Sequence, residues 1–182
     1  PVTEREVPFP EDAILVSKTD RKGIITYANP AFVQISGFSE EELLGRNHNI
    51  VRHPDMPPEA FKDLWDTVAT GRTWTGLVKN RAKSGDYYWV RANVTPVKQS
   101  NGEVEYMSVR TPPSEAEKRF AEELYAKARA GQVTLPSSLD IGSSLTLERL
   151  VTWGGGGIAL ITLLAMMGSL VGLASGWILG LL

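Results

Sequence analysis

Every ionisable side chain of this 182-residue sequence lies at or before Arg149, and the run from Val151 to Leu182 holds none. This division constrains the fold more than any other feature. At ~1.5 Å per helical residue the apolar end is long enough to cross ~30 Å of hydrocarbon. Residues 151–182 therefore read as a transmembrane segment, with the helix over Ile158–Leu182. The remaining ~150 residues suit one compact domain with linkers.

The polar part divides at turn and cap residues. Residues 1–12, with their prolines and acidic side chains, read as an extended lead-in. Ala13–Ser17 and Ile24–Tyr27 are expected as two strands joined through Thr19–Gly23. Asn29-Pro30 can open a helix, Asn as cap and Pro at the first position, which turns Phe32, Val33, Ile35 and Phe38 inward. Ser39 and Glu42 make a capping box for a second short helix ended by Gly45. Phe61, Leu64, Trp65 and Val68 have the spacing of an amphipathic helix that stops at Gly71. Trp74–Arg81, Tyr87–Pro96 and Glu103–Thr111 are expected as three more strands, with turns at Ser84-Gly85 and Asn101-Gly102.

That order predicts an α+β fold, a five-stranded antiparallel sheet with short helices on one face. The domain is bounded at 13–112, where Pro112-Pro113 ends it. Residues 113–150 follow as a helix and a linker. The helix starts at a Ser114/Glu117 capping box, runs to about Ala130, and carries Glu115–Arg119 and Glu123–Lys127 pairs and a Phe120, Leu124, Ala128 seam.

With 21 acidic and 19 basic residues the chain has no electrostatic footprint for nucleic acid. The absence of cysteine excludes disulfides, thiolate metal sites and any cysteinyl–flavin adduct. Two histidines five positions apart in an irregular loop do not make a metal site. No Ser-His-Asp order, H-E-x-x-H, Walker or Rossmann glycine pattern is present, and the expectation is that the chain is not an enzyme. Gly154–Gly157 lacks the Lys-Ser/Thr pair of a phosphate loop and reads as punctuation. The N-terminus has no apolar run of the secretory kind. Gly168, Gly172, Gly176 and Gly180 recur every four residues, a ridge along which another helix can approach.

The run Arg52-His53-Pro54-Asp55-Met56-Pro57 is followed in order by Trp74-Thr75-Gly76, by residues 78–86 (VKNRAKSGD), by 87–94 (YYWVRANV) and by 106–111 (YMSVRT). Together these resemble the flavin-binding PAS domain of the bacterial aerotaxis and redox-taxis receptors (the Aer family), over roughly residues 13–111. The resemblance implies a PAS fold with non-covalent FAD and assigns Arg52, His53, Asp55, Asn29, Trp74 and Asn80 to the flavin site, with Phe61 as a candidate wall.

The chemistry of these residues suits such a ligand. Arg52 is permanently charged and fork-shaped, suited to a phosphate or a pyrimidine carbonyl. His53 can donate from either nitrogen, and its charge could follow the redox state of the flavin. Asp55 is placed to orient His53 or Arg52. Trp74 offers a stacking face and one N–H, and Asn80 both donates and accepts. Taken alone, Arg52 and Asp55 would be a loop ion pair and His48 a turn residue. Trp65, Tyr87, Tyr88 and Trp89 read as core or sheet-face aromatics. Strand alternation sets Tyr87, Trp89, Arg91 and Asn93 against Tyr88, Val90, Ala92 and Val94.

The light-sensing LOV relatives keep a reactive Cys in a GRNCRFLQ-like run. Here residues 45–52 put His48 at the Cys position and Arg52 at the Gln position, and Val90 replaces a strand Asn, so a cysteinyl photocycle is excluded. The resemblance implies a redox or oxygen sensor for aerotaxis. It would be anchored in the inner (cytoplasmic) membrane with its PAS domain in the cytoplasm, form a homodimer, and signal to a HAMP-like element and helical bundle in cis or in a partner chain. The family would continue past Leu182 into those elements. The alternatives are a cofactor-free PAS interaction or dimerisation module and a small flavin reductase; a haem-based gas sensor through His48 or His53 ranks below them.

Overall fold

Turn and cap residues cut the chain where local chemistry demands, in a computed structural model that describes residues 2–8 and 12–138. Strands β1 (Leu15–Thr19) and β2 (Ile25–Ala28) are joined by a turn in which the Asp20 carboxylate accepts from the backbone N–H of Lys22 and Ile24. Helix α1 (Pro30–Ser36) starts at Asn29, whose Oδ1 accepts from the Phe32 N–H at 3.0 Å, and ends at Gly37, left-handed at φ +69°. Helix α2 (Glu40–Leu43) carries the Ser39/Glu42 capping box in full. A single 3-10 turn, His48–Val51, leads into the proline-braced loop and then into α3 (Pro58–Ala69). Strands β3 (Trp74–Arg81), β4 (Tyr87–Lys98) and β5 (Val104–Thr111) follow, and α4 (Glu115–Arg129) begins at the Ser114/Glu117 capping box.

The five strands form one antiparallel sheet in the order β2-β1-β5-β4-β3. Its inner face carries Leu15, Tyr88 and Val90, which pack with Phe32, Leu43, Val51, Met56 and Val68 into the main core. The alternation of β4 is as expected: Tyr88, Val90, Ala92 and Val94 are buried on this face. Helix α3 buries Leu64 and Val68 in the core, while Phe61 and Trp65 are only partly covered.

The outer face is strapped by α4. Ala121 is buried, the Tyr125 ring stacks on Trp89 at 6.3 Å, and the Tyr125 O–H donates to the Leu77 carbonyl at 2.7 Å. The packed stripe therefore lies one residue round from the expected Phe120, Leu124, Ala128 seam, and Phe120 is half exposed. Tyr125 decides this, because its apolar body fits Trp89 while its tip reaches a strand carbonyl. Glu123–Lys127 pairs as expected, whereas Glu115 meets Lys118 at i+3.

The lead-in is pinned to the sheet. The Arg5 guanidinium and the Thr3 hydroxyl both donate to Asp86 at 2.6 Å, and Tyr87 exchanges backbone hydrogen bonds with Arg5 and Val7. β5 reaches along β4 only to Arg91, so this segment covers an edge that would otherwise be open. Among the described residues no helix is long and apolar enough to cross a membrane. The transmembrane helix expected over 151–182, its glycine ridge and the linker from residue 139 lie outside the described residues.

Candidate functional site

A cavity of about 470 Å³, within the usual size of small-molecule sites, opens between the inner face of the sheet and the wall made by α3 and the 3-10 turn. Its floor comes from inward positions of four strands. Ser17 and Thr19 belong to β1, Val78 and Asn80 to β3, Ala92 and Val94 to β4, and Tyr106, Ser108 and Arg110 to β5. The wall is Arg52, Phe61, Leu64 and Trp65 with His48, and the exposed side chains of Arg21, Lys22, Asn47 and Asn49 complete the lining.

The structure brings three of the sequence-predicted residues together here. Arg52 bridges to Asn80 through the backbone, places its guanidinium 4.4 Å above the Phe61 ring, and donates to the Met56 carbonyl at 3.1 Å. Asn80 is 3 % exposed and its Nδ2 has no partner among the described residues.

The other four lie outside the lining. The Asn29 side chain accepts from the Val16 and Phe32 N–H groups and donates to the Ile14 carbonyl, so it ties α1 to β1. The Trp74 indole N–H donates to Asp63 on α3 at 2.7 Å, and its ring lies across Gly76, where a Cβ would sit 2.3 Å from it. Only glycine permits that approach.

His53 and Asp55 belong to a cluster on the outer side of β3. His53 Nδ1 accepts from the Asp55 N–H at 3.1 Å, and the ring stands edge-on to Tyr87 at 6.1 Å. Burial, helped by the Lys79 charge, holds its pKa below the ordinary value. The Asp55 carboxylate meets the Lys79 ammonium at 2.8 Å. Burial works to raise this carboxyl, yet Lys79 holds it below the usual range. Arg129 of α4 donates to the Asp55 carbonyl.

Several lining residues escaped the sequence reading. His48 is not merely a turn residue: its ring stacks on Phe32 at 5.8 Å and its Nε2 lies 2.8 Å from Arg110. Trp65, expected among the core aromatics, lines the cavity and meets Tyr106 edge-on at 5.7 Å. Arg110, 4 % exposed, donates to the Ser17 hydroxyl at 3.0 Å. Ser108 Oγ and Arg110 Nη1, like Asn80 Nδ2, are buried without a partner among the described residues. Tyr106, Ser108 and Arg110 alternate along β5. Had faces been assigned to that strand as they were to β4, this polar row would have shown.

This geometry can hold a flat ligand between apolar walls, with donors set along the floor and cations beside it. The PAS fold family matches residues 25–110. The aerotaxis receptor of Escherichia coli (strain K12) is 47 % identical over 133 residues, 73 % of this chain and 26 % of the receptor. A nitrogen fixation regulatory protein of Klebsiella pneumoniae is 35 % identical over 94 residues, 52 % of this chain and 19 % of that protein. The chain thus spans about a quarter or less of the length of these relatives. The light-state structure of the Aureochrome1 LOV photoreceptor superposes with a TM-score of 0.52 at 23 % identity, covering 64 % of this chain and 91 % of that one, which shows the shared fold. The five-stranded sheet, its flanking helices and these relatives make this chain a bearer of a PAS sensor domain of the aerotaxis-receptor family.

Proposed function

We propose that the domain binds FAD non-covalently in the inner-face cavity and serves as a redox or oxygen sensor for aerotaxis. The observation that carries this reading is the set of polar atoms on the cavity floor without partners among the described residues, Asn80 Nδ2, Ser108 Oγ and Arg110 Nη1. Buried polar groups without partners cost about 1–3 kcal/mol each. A ligand with several acceptors along one edge would relieve that cost, and the pyrimidine edge of a flavin has this character. Phe61, Leu64, Val78 and Val94 give apolar walls for its rings. Arg21, Lys22 and Arg52 suit the diphosphate of the dinucleotide. FAD would supply reversible electron uptake, and these residues would hold and orient it. With His48 where LOV proteins carry cysteine, no adduct chemistry is available.

The Arg52–Pro57 loop gives the sensor a route outward, since it touches both the cavity and α4. The wider reading is a homodimeric receptor of the inner membrane with its PAS domain in the cytoplasm. It would pass its signal to a HAMP-like element and helical bundle in cis or in a partner chain. The role is that of a sensor and not an enzyme.

Purification of the full chain and chromatography of any released chromophore tests the reading. A yellow protein that releases FAD on denaturation is expected. A colourless chain that refuses added FAD would leave the cofactor-free interaction module, and steady NAD(P)H consumption with an acceptor would indicate a flavin reductase.

A further inference from the structure

One carboxylate joins the cavity wall to the chain that leaves the domain. Past α4 the backbone turns at Gly131, left-handed at φ +69°, and residues 133–137 form a strap with no helix or strand. Residues 131–134 and Pro136 are exposed, so the strap is not held along its length. Leu135 packs against the core, and Ser137 and Ser138 are half-buried beside Asp63 of α3.

The Asp63 carboxylate accepts from the Ser138 N–H at 2.6 Å, the Ser138 hydroxyl at 2.6 Å, the Ser137 hydroxyl at 3.3 Å and the Trp74 indole N–H at 2.7 Å. A carboxylate has about four acceptor sites, and these neutral donors fill them. Arg72, just past α3, donates to the Ser138 carbonyl at 3.4 Å. Trp74 is 4 % exposed and opens β3, so it is the fixed side of this junction. Ser138, at the end of an exposed strap, is the side that can let go.

The same helix faces the cavity. Phe61, Leu64 and Trp65 of α3 line it. At about 3.6 residues per turn, position 63 leaves the opposite side of the helix. A ligand held between the sheet and α3 would fix that helix, and with it the acceptor on which the strap is anchored. Twelve residues, 139–150, separate Ser138 from the charge-free run that begins at Val151.

We propose, on the basis of the flavin reading above, that Asp63 is a clasp coupling the cavity to the exit of the chain. FAD in the cavity tightens the hold on Ser138, and the closed clasp tightens the hold on FAD. Such coupling is reciprocal, so the two effects have one size. Asp63 is then a positioning residue, acting on the cavity through α3 and on the outgoing chain through Ser138.

Proton exchange in the full chain, followed by NMR with and without FAD, is paired with FAD titration of the native and Ser138→Pro chains. Proline removes both the N–H and the hydroxyl at position 138 and leaves the bond from Trp74 to Asp63. FAD is expected to slow exchange of the Ser138 amide at least about fivefold, the low end of ordinary coupling between sites. Ser138→Pro is expected to raise the FAD dissociation constant by the same factor. The Trp74 indole proton is expected to stay protected in that variant, which shows the domain intact. Ser138→Ala loses one of the two bonds and is expected to weaken FAD less, in the same direction, so a proline variant that misfolds does not end the test. A Ser138 amide indifferent to FAD, or native FAD affinity in a folded Ser138→Pro chain, would overturn the proposal. A chain that takes no FAD fails the flavin reading and the coupling with it, whereas one that takes FAD with unaltered Ser138 exchange fails the coupling alone.

Discussion

Arg52 and Asp55 lie three residues apart on one loop and serve opposite sides of the sheet. Arg52 lines the inner cavity beside Asn80, whereas Asp55 reaches round the β3 edge to Lys79, which points outward between Val78 and Asn80. The two do not pair with each other. The ion pair they would make if taken alone is replaced by two separate attachments, one to the inner-face cavity and one, through Lys79 and Arg129, to α4.

That arrangement predicts separable effects. Asp55→Asn should weaken the hold on Lys79 and loosen α4, measured as faster amide exchange over Glu115–Arg129. Asp55 is nearly half exposed, so the stability loss should stay within about 0–1 kcal/mol. FAD affinity should be unchanged. A fall in affinity with unaltered exchange in α4 would show that Asp55 serves the cavity instead.

Trp74 tests whether a residue needed for the fold can be mistaken for a ligand contact. Trp74→Phe keeps most of the packing and loses the hydrogen bond to Asp63, at an expected cost of about 1–3 kcal/mol in thermal or denaturant unfolding. Trp74→Ala should cost about 3–5 kcal/mol by emptying the core beside α3. Bound FAD per folded chain should stay at the native value in Trp74→Phe; its loss from a stably folded variant would make the indole a direct contact.

Stability should depend on pH through His48. Burial first, then the charge of Arg110, lowers its folded pKa from 6.5 to about 3. Between those values the unfolded chain binds the extra proton and the fold does not, so stability falls as pH drops through the window. The slope from this one group is at most about 1.4 kcal/mol per pH unit. His53, also lowered, adds in the same direction. Denaturant midpoints from near neutral pH downward check this, and His48→Gln should flatten the curve.

The lead-in responds at lower pH. Hydrogen bonds from Arg5 and then Thr3 hold the Asp86 carboxyl at about 2, below its ordinary 3.8. The stabilisation is complete above the ordinary value and is lost as pH falls toward 2. Proteolysis of the lead-in by an acid-active protease should accelerate over that range in the native chain, and Asp86→Asn should show the fast rate at every pH.

Local signals made much of the fold legible. Both capping boxes, at Ser39/Glu42 and Ser114/Glu117, and the Asn29-Pro30 start are set by residues within one helical turn, and all three are in place. The period of two in β4 set Tyr88 and Val90 on one face for the same reason, and the structure shows that face to be the core. The site was harder to read. The loop at 52–57 has no repeating geometry, so nothing in its spacing says that Arg52 turns inward while His53 and Asp55 turn out. The Arg110–His48 contact joins positions 62 apart, and the bond from Trp74 to Asp63 depends on how α3 meets β3. Such relationships belong to the packed sheet and not to any segment of it.

The most direct test of the cavity as the FAD site is an equilibrium titration of the cofactor-depleted full chain with FAD, native against Asn80→Leu. Replacing the floor amide removes a donor that would face the pyrimidine edge, and about 1.4 kcal/mol of lost interaction corresponds to a dissociation constant raised about tenfold. That rise is expected together with an unchanged unfolding midpoint for the cofactor-free chain. Native affinity in Asn80→Leu would contradict it and place the flavin elsewhere.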